Sequence, residues 1–120
     1  PPRIRVNDED GIRIVRFVDR QLFDEPTVRV VAEQLFAALP RSGPIALILD
    51  LSGVDLVSSS MLGKLILLQR RADSSGGMLR LCDLTEGVLG VLRTTNLDRL
   101  FAIDHDLAEA KEAFRAPRRS

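Results

Sequence analysis

The chain has 120 residues, 45% of them hydrophobic, which is enough for one compact domain with a real core and too little for two. Its 17 basic and 17 acidic side chains cancel, and the basic ones are scattered apart from the short run Arg115-Ala116-Pro117-Arg118-Arg119, which argues against a nucleic-acid-binding footprint. The lone cysteine, Cys82, rules out an intramolecular disulfide; its place in an apolar run reads as a buried small hydrophobe in a reducing compartment.

Pro1 to Arg5 carries no apolar leader-like run, and no segment approaches the roughly 20 apolar residues of a spanning helix. The expected location is the cytoplasm, with no membrane contact. Ile4 to Val6 and Gly11 to Val18 read as the strands of an antiparallel hairpin, joined by the polar, glycine-ended stretch Asn7 to Gly11. Asp19 to Glu25 reads as loop. Asp24 or Glu25 is placed to cap the next helix, with Pro26 in its first turn, where a missing N–H is no loss. Val28, Val31, Leu35 and Leu39 make one helical face, and Pro40-Arg41-Ser42-Gly43-Pro44 ends it.

Ile45 to Leu51 is an almost unbroken apolar run, the pattern of a strand covered on both faces. Ser52-Gly53 marks a turn, Ser58-Ser59-Ser60 come after it, and Leu62 to Ala72 carries apolar residues at helical spacing, so the serines fall where a helix begins. A helix N-terminus offers open N–H groups and partial positive charge; a serine there caps the helix, and a phosphate there is electrostatically favoured. The residues alone leave both roles open: plain caps, or a switch on which phosphorylation adds about two negative charges. In the helix itself, Leu62, Leu65, Ile66, Leu67 and Leu68 cover more than one face. Leu67 or Leu68 should therefore be poorly covered, either thickening the core or extending a docking surface from the serines. Gly63 permits close approach of another backbone.

Asp73 to Gly77 reads as a turn and Met78 to Leu84 as a strand parallel to the preceding one. Asp83 or Thr85 is placed to cap a helix to about Thr94, with Glu86 at capping-box spacing from Asp83, and Asn96 suits a left-handed C-terminal cap. Leu100 to Ile103 reads as a last strand. Asp106 and Glu109 have capping-box spacing for a final helix to about Phe114, and Arg115 to Ser120 should fray. Alternation after the hairpin predicts an α/β fold: a mostly parallel central sheet, an N-terminal antiparallel hairpin and about four helices, in a single domain over 1–120 with its core at about 4–114.

Chemistry for catalysis is sparse. His105 is the sole histidine, far in sequence from the serines, and no Gly-x-Ser-x-Gly elbow surrounds any of them, which argues against a Ser-His-Asp hydrolase. There is no Walker or Rossmann phosphate loop. Asp50 and Asp55 bracket the turn before the serines; they suit hydrogen bonding of the loop backbone, with a metal site the weaker alternative. No catalytic residue, metal ligand or cofactor is assigned.

The pattern L-I-L-D-L-S-G-V-D-L-V-S-S-S-M-L-G-K-L, with G-G-M-L-R-L-C-D-L and T-N-L-D-R-L-F further along, resembles the STAS domain from about Ile4 to Phe114. This is the family of bacterial anti-sigma factor antagonists and of the cytoplasmic tails of sulfate transporters. In the antagonists the switch loop commonly reads Asp-Ser-Ser/Thr-Gly-Leu-Gly, and its first serine is phosphorylated by an anti-sigma factor that is also a serine kinase. Matching Leu62-Gly63 to the Leu-Gly pair implies Ser59 as the phospho-acceptor, with Ser60 and Ser58 as second choices. The resemblance further implies that Ser58, Ser59, Ser60, Met61, Lys64 and Leu68 contact the partner. It implies an anti-sigma factor with serine kinase activity and a phosphatase as partners, a possible homodimer, and a kinase substrate rather than an enzyme.

Two positions depart from that pattern: Ser58 stands where the aspartate is usual and Met61 where the glycine is. Losing the carboxylate removes a charge that would repel a phosphate or hold the loop, and Met61 predicts ordinary dihedrals and an apolar side chain beside the serines. These departures motivate a second expectation, a scaffold that binds a partner or itself constitutively through Leu67 and Leu68. A third, a module for a small ligand such as a nucleotide or lipid, rests on fold analogy.

Overall fold

The first strands, β1 (Ile4–Glu9) and β2 (Ile12–Phe17), form an antiparallel hairpin closed by Asp10-Gly11, whose φ values of 53° and 78° are those of the tight turn that suits strand twist. β1 runs three residues past the expected end at Val6. Its polar residues stay in the strand because this edge faces solvent and their side chains find partners: Asp8 takes the Arg13 guanidinium at 2.8 Å, and Glu9 takes Lys111 Nζ at 2.7 Å. The computed structural model describes residues 1–115.

β3 (Gln21–Leu22) falls in the stretch expected to be loop. α1 (Glu25–Ala37) begins at its Asp24 cap with Pro26 in the first turn, as expected, and buries Val28, Val31, Ala32 and Leu35; Leu39 lies beyond its end. β4 (Ala46–Asp50) is the middle strand, with Leu47, Ile48 and Leu49 buried. β5 (Leu56–Val57) precedes α2 (Ser59–Ser74), which starts three residues before the apolar periodicity does because the serines supply its cap and first turn. β6 (Met78–Cys82) begins directly after Gly77, where a side chain would collide with the Ile45 backbone. It stops before Leu84 because Asp83 turns left-handed at φ 57°.

That conformation also removes Asp83 as a cap, so α3 (Glu86–Thr94) is capped by Thr85 and Glu86 is its first residue rather than a capping-box partner. Asn96 adopts the expected left-handed geometry at φ 61°. A 3-10 turn at Leu97–Arg99 then pushes β7 (Ala102–Asp104) two residues beyond the expected start. α4 (Leu107–Arg115) opens at the expected Asp106 cap, whose Oδ1 accepts from Glu109 N at 2.9 Å; the return bond differs from a strict capping box, Glu109 Oε1 accepting from His105 N at 3.2 Å, one residue before the cap. Arg115 ends this helix with its Nη2 3.2 Å from Asp10 Oδ2; the rest of the expected frayed tail lies outside the described residues.

The five-stranded sheet has the order β1-β2-β4-β6-β7, parallel from β2 onward, and β3 pairs with β5 in a separate parallel ribbon. One face carries Val15, Leu47, Leu49, Leu79 and Leu81 into the main core with α1, α2 and α3. The other carries Ile12, Ile14, Ile48 and Cys82 against Ala110 of α4. The α/β architecture with four helices among the described residues is the one the alternation predicted. None of those helices is long and apolar enough to cross a membrane.

Candidate functional site

The segment from Asp50 to Ser60 leaves the C-terminal end of the middle strand and delivers three serines to the start of α2. Asp50, 6% exposed, anchors its beginning: Oδ1 accepts from Ser52 N at 3.0 Å and Oδ2 from Arg16 Nε at 3.0 Å. Asp55 serves differently from expectation. Its carboxylate takes the Arg20 guanidinium, with Nε at 3.0 Å and Nη2 at 2.7 Å, and so ties the loop to the segment before α1 rather than to its own backbone. The β3–β5 ribbon continues that tie, and Ser58 N donates to Leu22 O at 3.0 Å. On the far side, Thr85 Oγ1 donates to Val54 O at 2.7 Å.

Of the three serines it is Ser58 that caps α2: its extended backbone (φ −87°, ψ 166°) sets Oγ to accept from Met61 N at 3.1 Å. Ser59 comes next as the first helical residue and is exposed; Ser60 is half-buried. No acidic side chain lies in this first turn, so its open N–H groups and the partial positive charge of the helix end are not offset locally.

Two expected partner contacts are displaced. Met61 is 0% and Leu68 1% exposed; both fill the core under α2, where no partner reaches them. Helix phase sends Leu67 outward instead, 48% exposed, as the excess of apolar residues foretold for one of the pair. Leu67, Lys64 and Ser60 line one wall of a groove of about 380 Å³ whose other wall is α1, with Arg29, Glu33 and Phe36. Arg71 stacks its guanidinium 5.6 Å from the centre of the Phe36 ring. Phe23, which directly follows β3, is 53% exposed; nothing in its sequence surroundings singled it out.

Other candidates resolve structurally. Cys82 is buried, and burial, then its hydrogen bond with Asp83, pushes its thiol pKa far up, so it remains the neutral small hydrophobe expected. Asp50, Cys82 and Asp83 bring potential ligand atoms within 4.8 Å of one another, but Asp50 is engaged by Arg16 and Ser52 and a protonated thiol is a poor ligand. His105 is exposed on the connection into α4, the helix of the opposite sheet face.

A family model described as "Mlab, STAS domain" matches residues 22–103, from the ribbon through β7. The fold is similar to that of an anti-sigma-factor antagonist (STAS) domain protein from Planctomyces limnophilus, with TM-score 0.84 at 24% identity over 94% of this chain and 98% of that one. It is similar to the crystal structure of a candidate anti-sigma factor antagonist from Thermotoga maritima, with TM-score 0.82 at 26% identity over 94% and 95%. An anti-sigma factor antagonist from Mycobacterium paratuberculosis matches with TM-score 0.81 at 24% identity over 94% and 93%.

Proposed function

We propose that this chain, which belongs to the STAS domain family, is an anti-sigma factor antagonist with Ser59 as its phosphorylation switch. One observation carries the reading: an exposed hydroxyl stands at the first position of α2, in the loop that is the switch of the antagonists this sequence resembles. The similarity to the Thermotoga maritima protein at 26% identity supports it.

In this reading the unmodified chain presents Ser59, Ser60, Lys64 and Leu67 to an anti-sigma factor that is also a serine kinase. The kinase transfers the terminal phosphoryl group of a nucleoside triphosphate to Ser59 Oγ; the nucleoside diphosphate leaves as the P–O bond to it breaks, and the hydroxyl proton is released. About two negative charges then sit in the interface, and their repulsion and desolvation release the partner. The helix end tolerates the charge, so the fold survives the modification. A phosphatase resets the switch. The chain contributes a substrate hydroxyl rather than catalytic machinery, acts in the cytoplasm, and takes no cofactor, nucleic acid or membrane.

Neither departure from the family pattern touches the acceptor. Ser58 fills the N-cap position that aspartate fills about equally well, and Met61 is a core residue. The test is capture from a lysate of the native host with unmodified and Ser59→Asp baits, read by mass spectrometry. A kinase-type anti-sigma factor held by the first and lost by the second is the expected result; the same set of partners on both contradicts it.

The outward Leu67 favours a second reading, a constitutive scaffold. Leu67→Glu then abolishes an assembly seen on a sizing column and Ser59→Asp leaves it intact; the reverse pattern removes this reading.

A further inference from the structure

The peptide unit joining Val54 to Asp55 is gripped from opposite sides. Its carbonyl oxygen accepts from the Thr85 hydroxyl at 2.7 Å, and its N–H donates to the Arg20 carbonyl at 2.7 Å. The next peptide unit, Asp55 to Leu56, is crowded from α3, since a Cβ on Gly87 would stand 2.5 Å from the Asp55 carbonyl oxygen. A ribbon as short as Gln21–Leu22 against Leu56–Val57 does not hold a register by itself. The Ser58 cap comes directly after this ribbon, so any slip at Val54–Asp55 moves the serines.

We propose that Thr85 is a positioning residue for the serine turn: by holding the Val54 carbonyl it fixes where Ser58 caps α2 and where Ser59 is presented. The importance of that position for partner binding rests on the reading of Ser59 given above; the positioning itself is measurable with no partner present. Thr85 performs two separable tasks. As the cap of α3, its Oγ1 accepts from Val88 N at 3.4 Å; as the pin of the loop, its hydroxyl proton goes to Val54 O. Aspartate keeps the first task and abolishes the second, because a carboxylate caps a helix but has no proton to give and meets a carbonyl oxygen instead. Serine keeps both.

The test is amide hydrogen exchange, read by NMR, on the full chain and its Thr85→Ser, Thr85→Asp and Gly87→Ala forms. Thr85→Ser should match the unmodified protein. In Thr85→Asp the amides of Ser58 and Met61 should exchange faster by about tenfold or more, while Val88 and Leu89 at the start of α3 stay protected. Gly87→Ala, which displaces Asp55 with the hydroxyl intact, should reproduce the acceleration and serves alone if Thr85→Asp does not fold. Unchanged Ser58 and Met61 exchange in the folded variants overturns the proposal. Capture of the kinase-type anti-sigma factor, run in parallel, separates the two claims. Accelerated exchange with no such partner on the unmodified bait sustains the positioning and sinks the reading of Ser59. Unchanged exchange with a partner that Ser59→Asp loses does the opposite.

Discussion

The starts of α1 and α2 share one geometry and differ in charge. Asp24 caps α1 by accepting from Thr27 N at 3.1 Å, and Ser58 caps α2 by accepting from Met61 N at 3.1 Å. α1 adds Glu25 in its first turn, so its positive end meets a carboxylate in the cap and another beside it. α2 has neutral hydroxyls and no acid there. The second difference lies one turn in: the third helical residue is half-buried Thr27 in α1 and fully buried Met61 in α2. The α2 start is thus the more firmly rooted of the two and the one with room for added negative charge, a combination that suits the switch proposed for Ser59.

The largest expected contrast is in the rooting. Met61→Ala should cost about 2–5 kcal/mol in urea unfolding, as a buried large-to-small change does, whereas Thr27→Ala should cost about 0.5 kcal/mol. Equal costs would mean that Met61 does not anchor the turn. Next comes the cap: Ser58→Ala should lose about 1 kcal/mol and Ser58→Asp should restore it, with the unfolding midpoint as readout.

Proton uptake sharpens the comparison further. The Thr27 amide beside it holds the Asp24 carboxyl pKa below its ordinary 3.8. The folded state therefore binds the proton less readily than the unfolded one, and the cap's contribution, full at neutral pH, is lost as pH falls through the folded pKa. The Thr27 amide shift should titrate with a midpoint below 3.8, and that of Met61 should show no cap titration, since a serine hydroxyl carries no charge to lose. The smallest effect is on stability in Ser59→Asp, a gain of about 0.3–1 kcal/mol at low salt that shrinks in 1 M salt. A loss at low salt would contradict the tolerance of α2 for charge.

Much of this was readable in the residues, and the failures share a cause. Ile45 to Leu51 announced the middle strand because a continuous apolar run has few other homes, and Asp24-Glu25-Pro26 announced the start of α1. β3 was invisible because two residues carry no pattern and its partner is more than thirty positions away. The start of α2 at Ser59 was blurred because the serines precede the apolar periodicity, which begins only at Leu62. In the site, the excess of leucines foretold one outward side chain, yet which of Leu67 and Leu68 turns out depends on the phase of α2 against the sheet, a tertiary fact. Thr85 could be named as a possible cap, but its second bond joins positions 31 apart and leaves no local trace.

Ser59 as the governor of docking is tested most directly by titrating the captured anti-sigma factor with two forms of this chain, unmodified and carrying phosphoserine at position 59 installed during synthesis. A fall in affinity of about 100-fold or more, near 2.7 kcal/mol, with both forms equally folded, is the predicted result. Equal affinity of the two forms would contradict it.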